Sequence, residues 1–297
     1  MFRLRPAGSA DDDAVLELLA ACDVAHHGEA DFTREFLLEE WRVADFDAAA
    51  GAVLVEDAAG RPAGYGALFQ RGGFALVDPP REGAGIGSQL LAWLEARARV
   101  AGHEVHRQRV AGRNRHGHQL LTEAGYTQSR AVLWLERELD RVPQPLPPVP
   151  DGILLHQLDV DRDARAVYAV DCAAFAGSPD YEQAPFASFH AEHLAGDRLD
   201  PSLSRVARRG DAVVGFALCR RSDRGGYVDI LAVEEAERGR GLGGLLLASA
   251  FSAFADARLR RVRLDVSSEN RPALRLYERA GMRECNRIDV FEKPVVA

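Results

Sequence analysis

The stretch Arg238, Gly239, Arg240, Gly241, Leu242, Gly243, Gly244 stands between a β-rich run, Tyr227 to Val233, and a long apolar helical run ending near Ala255. A helix start leaves backbone N–H groups unpaired and carries roughly half a positive charge. Glycines let a diphosphate approach those amides, and Arg238 and Arg240 add fixed charge. Pyrophosphate binding is the chemistry such a loop supports. A bare G-x-G also serves as a tight strand-to-helix turn, and both readings stand at this point. The loop is no Walker A sequence, because no lysine follows it. It also comes late in its half of the chain, whereas the glycine loop of a dinucleotide fold lies near the start of its domain.

Two further side chains could act near such a loop. A carboxylate inside Val228-Asp229-Ile230-Leu231 is out of place in an apolar run and needs a partner or a job. Asp229 therefore reads as a base, a holder of a substrate cation, or a structural hydrogen-bond acceptor. Tyr277 follows Asn270 by seven residues, two helical turns on and on nearly the same face. By periodicity alone it is a core aromatic.

The run Val233 to Gly243 resembles the acetyl-CoA loop of the GCN5-related N-acetyltransferases. That family's pattern, Arg/Gln-x-x-Gly-x-Gly/Ala, is met by Arg238, Gly241 and Gly243. The run Asn270 to Met282 resembles the family's second motif, with Asn270, Tyr277 and Gly281 at matching spacing. The resemblance implies acetyl-CoA as co-substrate and no metal. Arg238, Gly239, Arg240, Gly241, Leu242, Gly243, Gly244 and Asn270 would lie against that co-substrate. It implies that the strand Tyr227 to Val233 splays from its neighbour. The backbone of Leu231, Ala232 and Val233 would then hold the pantetheine arm and polarise the thioester carbonyl. The reaction implied is direct attack of a primary amine in a ternary complex, with Tyr277 as the acid for the departing thiolate.

An alkyl amine with a pKa near ~10.4 is protonated at neutral pH, and freeing its lone pair costs about 4–5 kcal/mol. A positioned base is therefore useful, worth roughly 10²–10⁴ in rate. Where the family often carries a glutamate before the loop, this chain has Tyr227. Asp229, two residues on and on the same strand face, takes that part directly or through water. Its alternatives, cation recognition or a structural hydrogen bond, stay open. His190 and His193 flank the helix that in this family edges the acceptor pocket; they read by default as surface histidines, with lining of that pocket as the alternative.

The elements that must position these groups occur twice. Gly85-Ile86-Gly87, Asn114-Arg115 and Ala124-Gly125 recur at a constant offset of 156 positions, at 241, 270 and 280. A period this long means two copies of a domain rather than a solenoid. Five prolines between Arg141 and Pro150 mark a stiff linker. The expected organisation is a first domain over 1–140, a linker over 141–151 and a second domain over 152–297. In each, strands alternate with helices in the α/β (α+β) class: two tandem GNAT-like copies, each a mixed, mostly antiparallel sheet flanked by helices. The copies differ where chemistry is expected. Glu82 stands at the place of Arg238, with Arg81 beside it, and Leu121 stands at the place of Tyr277. The first domain is therefore expected to be catalytically degenerate, either a weak second CoA site or a scaffold.

Length and composition agree with two soluble domains. The chain has 297 residues, 47% hydrophobic and 28% charged, with net charge −8. That charge is a poor match for nucleic acid or an anionic membrane and suits a cationic small molecule. No apolar run reaches the ~20 residues of a membrane span, and no signal-peptide core opens the chain, so a cytoplasmic protein is expected. Cys22, Cys172, Cys219 and Cys285 form no C-x-x-C and read as free thiols. The histidine pairs at 26–27, 103 and 106, and 116 and 118 lack any familiar metal spacing. The leading expectation is an acetyl-CoA-dependent N-acetyltransferase for a small, cationic amine. The alternatives are acetylation of a cysteinyl amine and a non-catalytic acyl-CoA-binding module.

Overall fold

The runs richest in β-branched and apolar residues become strands, and glycines or prolines punctuate them. The computed structural model describes residues 2–30, 37, 41, 48–69, 72–140, 145–178, 181, 183–196, 199–222 and 224–295. The first four linker residues, 141–144, lie outside the described residues. Residues 145–150 run without helix or strand.

By its packing the chain divides into two units, Met1–Val132 with Asn286–Ala297, and Leu133–Cys285. The first holds β1 (Arg3–Pro6), α1 (Asp12–His27), β2 (Ala52–Glu56), β3 (Pro62–Phe69), β4 (Gly72–Val77), α2 (Ile86–Val100), β5 (Val105–Ala111), α3 (Arg115–Glu123) and the first half of β6 (Thr127–Glu138). The second holds the rest of β6, then β7 (Ile153–Gln157), α4 (Val160–Phe175), β8 (Arg205–Arg209), β9 (Ala212–Ser222), β10 (Gly225–Val233), α5 (Leu242–Asp256), β11 (Arg261–Ser267), α6 (Arg271–Arg279) and the start of β12 (Arg283–Pro294). The division cuts through β6 and β12. Residues Ile288 to Pro294 of β12 pair antiparallel with β5 and so belong to the first unit, whereas the repeat groups the whole of β12 with the second half.

Each unit is a sheet with one parallel pair among antiparallel neighbours. In the second the order runs β11-β10-β9-β8-β7, with β10 and β11 parallel. β9 is buried on both faces from Val213 to Cys219, which explains the unbroken apolar run there. One face packs under α5, where Leu245, Leu246, Ala250 and Phe254 meet Ala217, Cys219 and Val228. The other packs under α4, where Val167 and Val170 meet Val213, Phe216 and Leu218. Gly226 is needed for this fit, since a Cβ there would lie 2.5 Å from the Phe254 ring.

The repeat is visible in the backbone. Gly83 and Gly239 share φ +77, Gly85 and Gly241 have +82 and +85, and Gly125 and Gly281 have +83 and +78. Gly102, at +74, is matched by Arg258 at +62, a left-handed residue without glycine's freedom. Cys22 and Cys219 are buried, Cys172 and Cys285 half-buried, and all four are free. Among the described residues no helix is long and apolar enough to cross a membrane.

Candidate active site

The glycine loop of the second unit ends at Gly241, the left-handed residue that opens α5. A Cβ on Gly239 or Gly241 would meet nothing within 4 Å. These glycines are therefore required by backbone conformation and leave open space above the loop. Leu245 N–H donates to the Gly241 carbonyl at 3.0 Å, the first bond of the helix. The N–H groups of Leu242, Gly243 and Gly244 precede it and point out of the helix start. Leu242 itself is buried in the core, so only its backbone faces the loop. Gly243 lets α6 approach, with Leu276 Cδ2 3.3 Å from where its Cβ would be.

The arginines divide their work. Arg238 Nε donates to the Val233 carbonyl at 3.2 Å and its Nη2 to the Ala174 carbonyl at 2.9 Å, tying the loop to β10 and α4. Arg240 is exposed, 3.7 Å from Glu237. Glu237 is gripped by Arg209 through two bonds of 2.7 and 2.9 Å, a strut under the loop that the sequence did not reveal.

β10 pairs with β11 only at its start, Gly226 with Val262 and Tyr227 with Arg263. On its other edge it pairs with β9 through to Val233. Past Tyr227 the β11-facing edge of β10, including Leu231, Ala232 and Val233, is therefore without a register to β11, which is the splay the sequence led one to expect. The register against β9 slips between Val228 and Ile230, leaving Asp229 as the extra residue of a bulge. The slip changes the alternation: Val228 and Leu231 pack toward α5, and Ile230 and Ala232 toward α4.

Asp229 is partnered. His193 Nδ1 lies 3.1 Å from its Oδ2, and Arg220 Nε lies 3.9 Å from its Oδ1. His193 belongs to a π-helical turn, His190–Leu194, that follows the short helix Phe186–Phe189. Such widened turns collect at functional sites. Burial disfavours a proton on His193, but its hydrogen bond to Asp229, the Asp229 charge, Glu192 and Asp171 outweigh this and raise its pKa. Asp171, on α4, is buried, which raises its pKa against the pull of the Tyr181 hydroxyl donating at 2.9 Å. Arg220 lies over the Tyr227 ring at 4.3 Å. Burial, with Asp265 and Asp229 nearby, keeps the Tyr227 phenol protonated. The pairing of His193 with Asp229 has no signature in sequence spacing, since 36 residues separate them.

Tyr277 is on α6, 8% exposed, with its ring in the core beneath α5. Burial alone pushes its pKa up to about 12. Asn270 caps the same helix, its Oδ1 accepting from Ala273 N–H at 3.2 Å. Asn114 does the same for α3, accepting from Gly117 N–H at 2.7 Å.

The first unit keeps this frame with different residues at the matching places. β4 and β5 are parallel at Gly73–Gln108 and Phe74–Arg109. From that pair to the loop, β4 runs Gly73 to Val77, where β10 runs Gly226 to Val233, three residues longer. Its register with β3 is unbroken. Phe74 holds the place of Tyr227 in that parallel pair, and no bulge stands where β10 carries Asp229. Glu82 is held by His26 at 2.9 Å and His116 at 2.8 Å, and Arg81 is engaged by Asp57 at 2.8 Å. Leu121 is a buried core residue. Among the described residues, no three His, Cys, Asp or Glu side chains converge as a metal site.

The acetyltransferase (GNAT) family model matches residues 13–126 and again 164–282. A mycothiol acetyltransferase of Brachybacterium faecium is 33% identical over 215 residues, 69% of this chain and 63% of that protein. A mycothiol acetyltransferase of Kineococcus radiotolerans is 32% identical over 280 residues, 91% of this chain and 88% of that protein. The crystal structure of a GCN5-related N-acetyltransferase from Sphaerobacter thermophilus superposes with a TM-score of 0.84 at 28% identity, covering 100% of this chain and 96% of that one.

Proposed function

This chain belongs to the acetyltransferase (GNAT) family, once in each half, and we propose that its second unit moves the acetyl group of acetyl-CoA onto the primary amine of a small, cationic acceptor by direct attack in a ternary complex. The observation that carries this reading is the parting of β10 from β11 just before an open helix start. Gly239, Gly241, Gly243 and Gly244 would offer backbone N–H groups to the diphosphate, with Arg240 as exposed charge and Arg238 fastening the loop. Leu231, Ala232 and Val233 would offer main-chain groups to the pantetheine arm. Asn270 would reach the co-substrate only through the helix it caps. When bound, acetyl-CoA supplies an acyl group activated as a thioester.

Tyr277 would give its proton to the departing sulfur. A phenol whose pKa is pushed up to about 12 stays protonated through the physiological range. The acceptor would enter beside Asp229, where Asp171 and Glu192 add negative charge that suits an ammonium. The first unit would serve as a scaffold. A second CoA there is poorly supported, because Glu82 places a carboxylate where the diphosphate would need a cation. We place the reaction in the cytoplasm with no nucleic-acid or membrane partner, in keeping with the free thiols and the acidic chain.

A second reading, acetylation of a cysteinyl amine, is favoured by the likeness to mycothiol acetyltransferases over nine tenths of this chain. Acetyl-CoA is mixed with 1,4-diaminobutane, glucosamine or S-methylcysteine methyl ester, and loss of the thioester absorbance is followed. Turnover of the diamine or amino sugar supports the first reading, and turnover of the cysteine ester alone supports the second. CoA binding by calorimetry with no turnover of any amine would leave a binding module and refute both.

A further inference from the structure

The base assigned from sequence, Asp229, is badly placed to take a proton. One of its oxygens faces His193 and the other faces the Arg220 guanidinium. The imidazole beside it is better suited. With Nδ1–H donating to Asp229, the neutral ring carries its lone pair on Nε2. Nε2 lies 4.0 Å from Glu192 Oε1, beyond hydrogen-bond distance. The ring is fixed from behind by Phe189, at 5.0 Å between centroids.

Its place on the strand matters equally. Asp229 is the bulge residue against β9 and follows Tyr227, the last residue in register with β11, by two positions, so the His193–Asp229 pair lies on the part of β10 that has no register to β11.

We propose that His193 is the proton acceptor for the incoming ammonium and that Asp229 is the positioning residue that fixes its tautomer and steadies its charge. This rests on the reading that the acceptor amine enters over β10. The substrate R–NH3⁺ gives one proton to His193 Nε2. The freed lone pair forms the C–N bond to the acetyl carbon as the C–S bond breaks. The thiolate takes the Tyr277 proton, the second nitrogen proton returns to the Tyr277 oxygen, and His193 sheds its proton to water. The products are the amide, the CoA thiol and one proton.

The charged and titratable groups around His193 are Asp229 on β10, Asp171 on α4 and Glu192 on its own turn. Behind Asp229 stand Arg220 on β9 and Tyr227 on β10, with Asp265 on β11 facing Tyr227. The balance is acidic, so the protonated ring is favoured and the acid limb of the rate profile should be set by His193. The reaction then needs the neutral ring, and kcat/KM should rise with pH through that limb.

The test joins two measurements on the full chain. His193 is titrated by NMR through its ring Cε1–H signal in the parent and in Asp229→Asn. We expect a midpoint above that of an ordinary histidine, falling by at least half a pH unit in the variant. This readout needs no acceptor, so it stands even if no amine turns over. An unmoved midpoint would overturn the pairing. The pH–rate profile is then measured, with the best of the three probe amines above, for the parent, His193→Gln and Asp229→Asn. His193→Gln should lose roughly 10²-fold or more in kcat with CoA affinity unchanged by calorimetry, and its acid limb should vanish. Asp229→Asn should keep a limb displaced to lower pH. A His193→Gln enzyme that retains kcat and the parental limb would overturn the proposal while leaving the acetyltransferase reading intact. No turnover by the parent with any amine would sink that reading instead, with the proton-acceptor role falling alongside it.

Discussion

Gly241→Ala and Gly85→Ala form a matched pair that separates what the two loops do. Both glycines open a helix in the left-handed region, at φ +85, ψ −3 and φ +82, ψ +1. At both, an added Cβ meets nothing within 4 Å. Steric clash inside the protein is therefore absent, and the cost is the backbone's own, about 1–2 kcal/mol for an L-residue held in this region. Part of it is offset by the stiffer unfolded chain, leaving about 1 kcal/mol at each position. Each melting temperature should drop by a few degrees, about equally. Ligand binding should not match. The methyl that Gly241→Ala introduces would stand in the space a diphosphate needs, so CoA affinity by calorimetry should weaken by at least tenfold, about 1.4 kcal/mol. The Gly85 variant should bind CoA as the parent does. Equal losses of affinity in the two variants, or none in either, would refute the assignment of the second loop as the functional one.

Three other outcomes are expected. Tyr277→Phe should fold normally and lose roughly 10²-fold in kcat. Because its phenol is raised to about 12 in the folded chain against a reference of 10.0, its stabilising burial is complete below pH 10 and lost as pH climbs toward 12. Alkaline unfolding should thus be milder in the variant, checked by circular dichroism. Asp163→Ala removes a fully buried carboxylate held by Arg162 at 2.9 Å and Arg208 at 2.7 Å. It should cost about 3 kcal/mol at pH 7 in urea unfolding. These hydrogen bonds hold the Asp163 pKa below its reference of 3.8 despite burial, so the parent's advantage should persist above that pH and fade as acid titrates it. Arg258→Gly should gain about 1 kcal/mol by relieving a left-handed residue at φ +62, read as a higher melting temperature.

Much of this molecule can be read from its residues because the informative ones are backbone-determined. Gly83, Gly85 and Gly125 repeat at 239, 241 and 281 since the same left-handed turns open and close the same helices. Asn114 and Asn270 repeat because both cap helices. The tandem architecture and the loop follow from such positions. What resists reading is tertiary. Asp229 could be recognised as anomalous, but its partner lies 36 residues away on a turn with no periodic signal. The bulge is one extra residue in a strand whose composition does not mark it. Arg209 and Glu237, 28 positions apart, look like two ordinary surface charges until the hairpin and the loop meet. Tyr277 stands between these cases: its spacing drew attention to it, and only its burial says why its phenol would hold a proton.

The ownership of the last strand has a consequence for how this protein can be made and cut. β5 waits for Ile288 to Pro294 as its antiparallel neighbour, so the first unit is unfinished until the whole of the second has been synthesised. Cotranslational folding, which usually completes the leading domain first, is denied its ordinary order here. Splitting the gene at the proline-rich stretch would not liberate two independent proteins. It would yield a leading fragment with a bare sheet edge, prone to aggregation, and a trailing fragment carrying a strand with nothing to join.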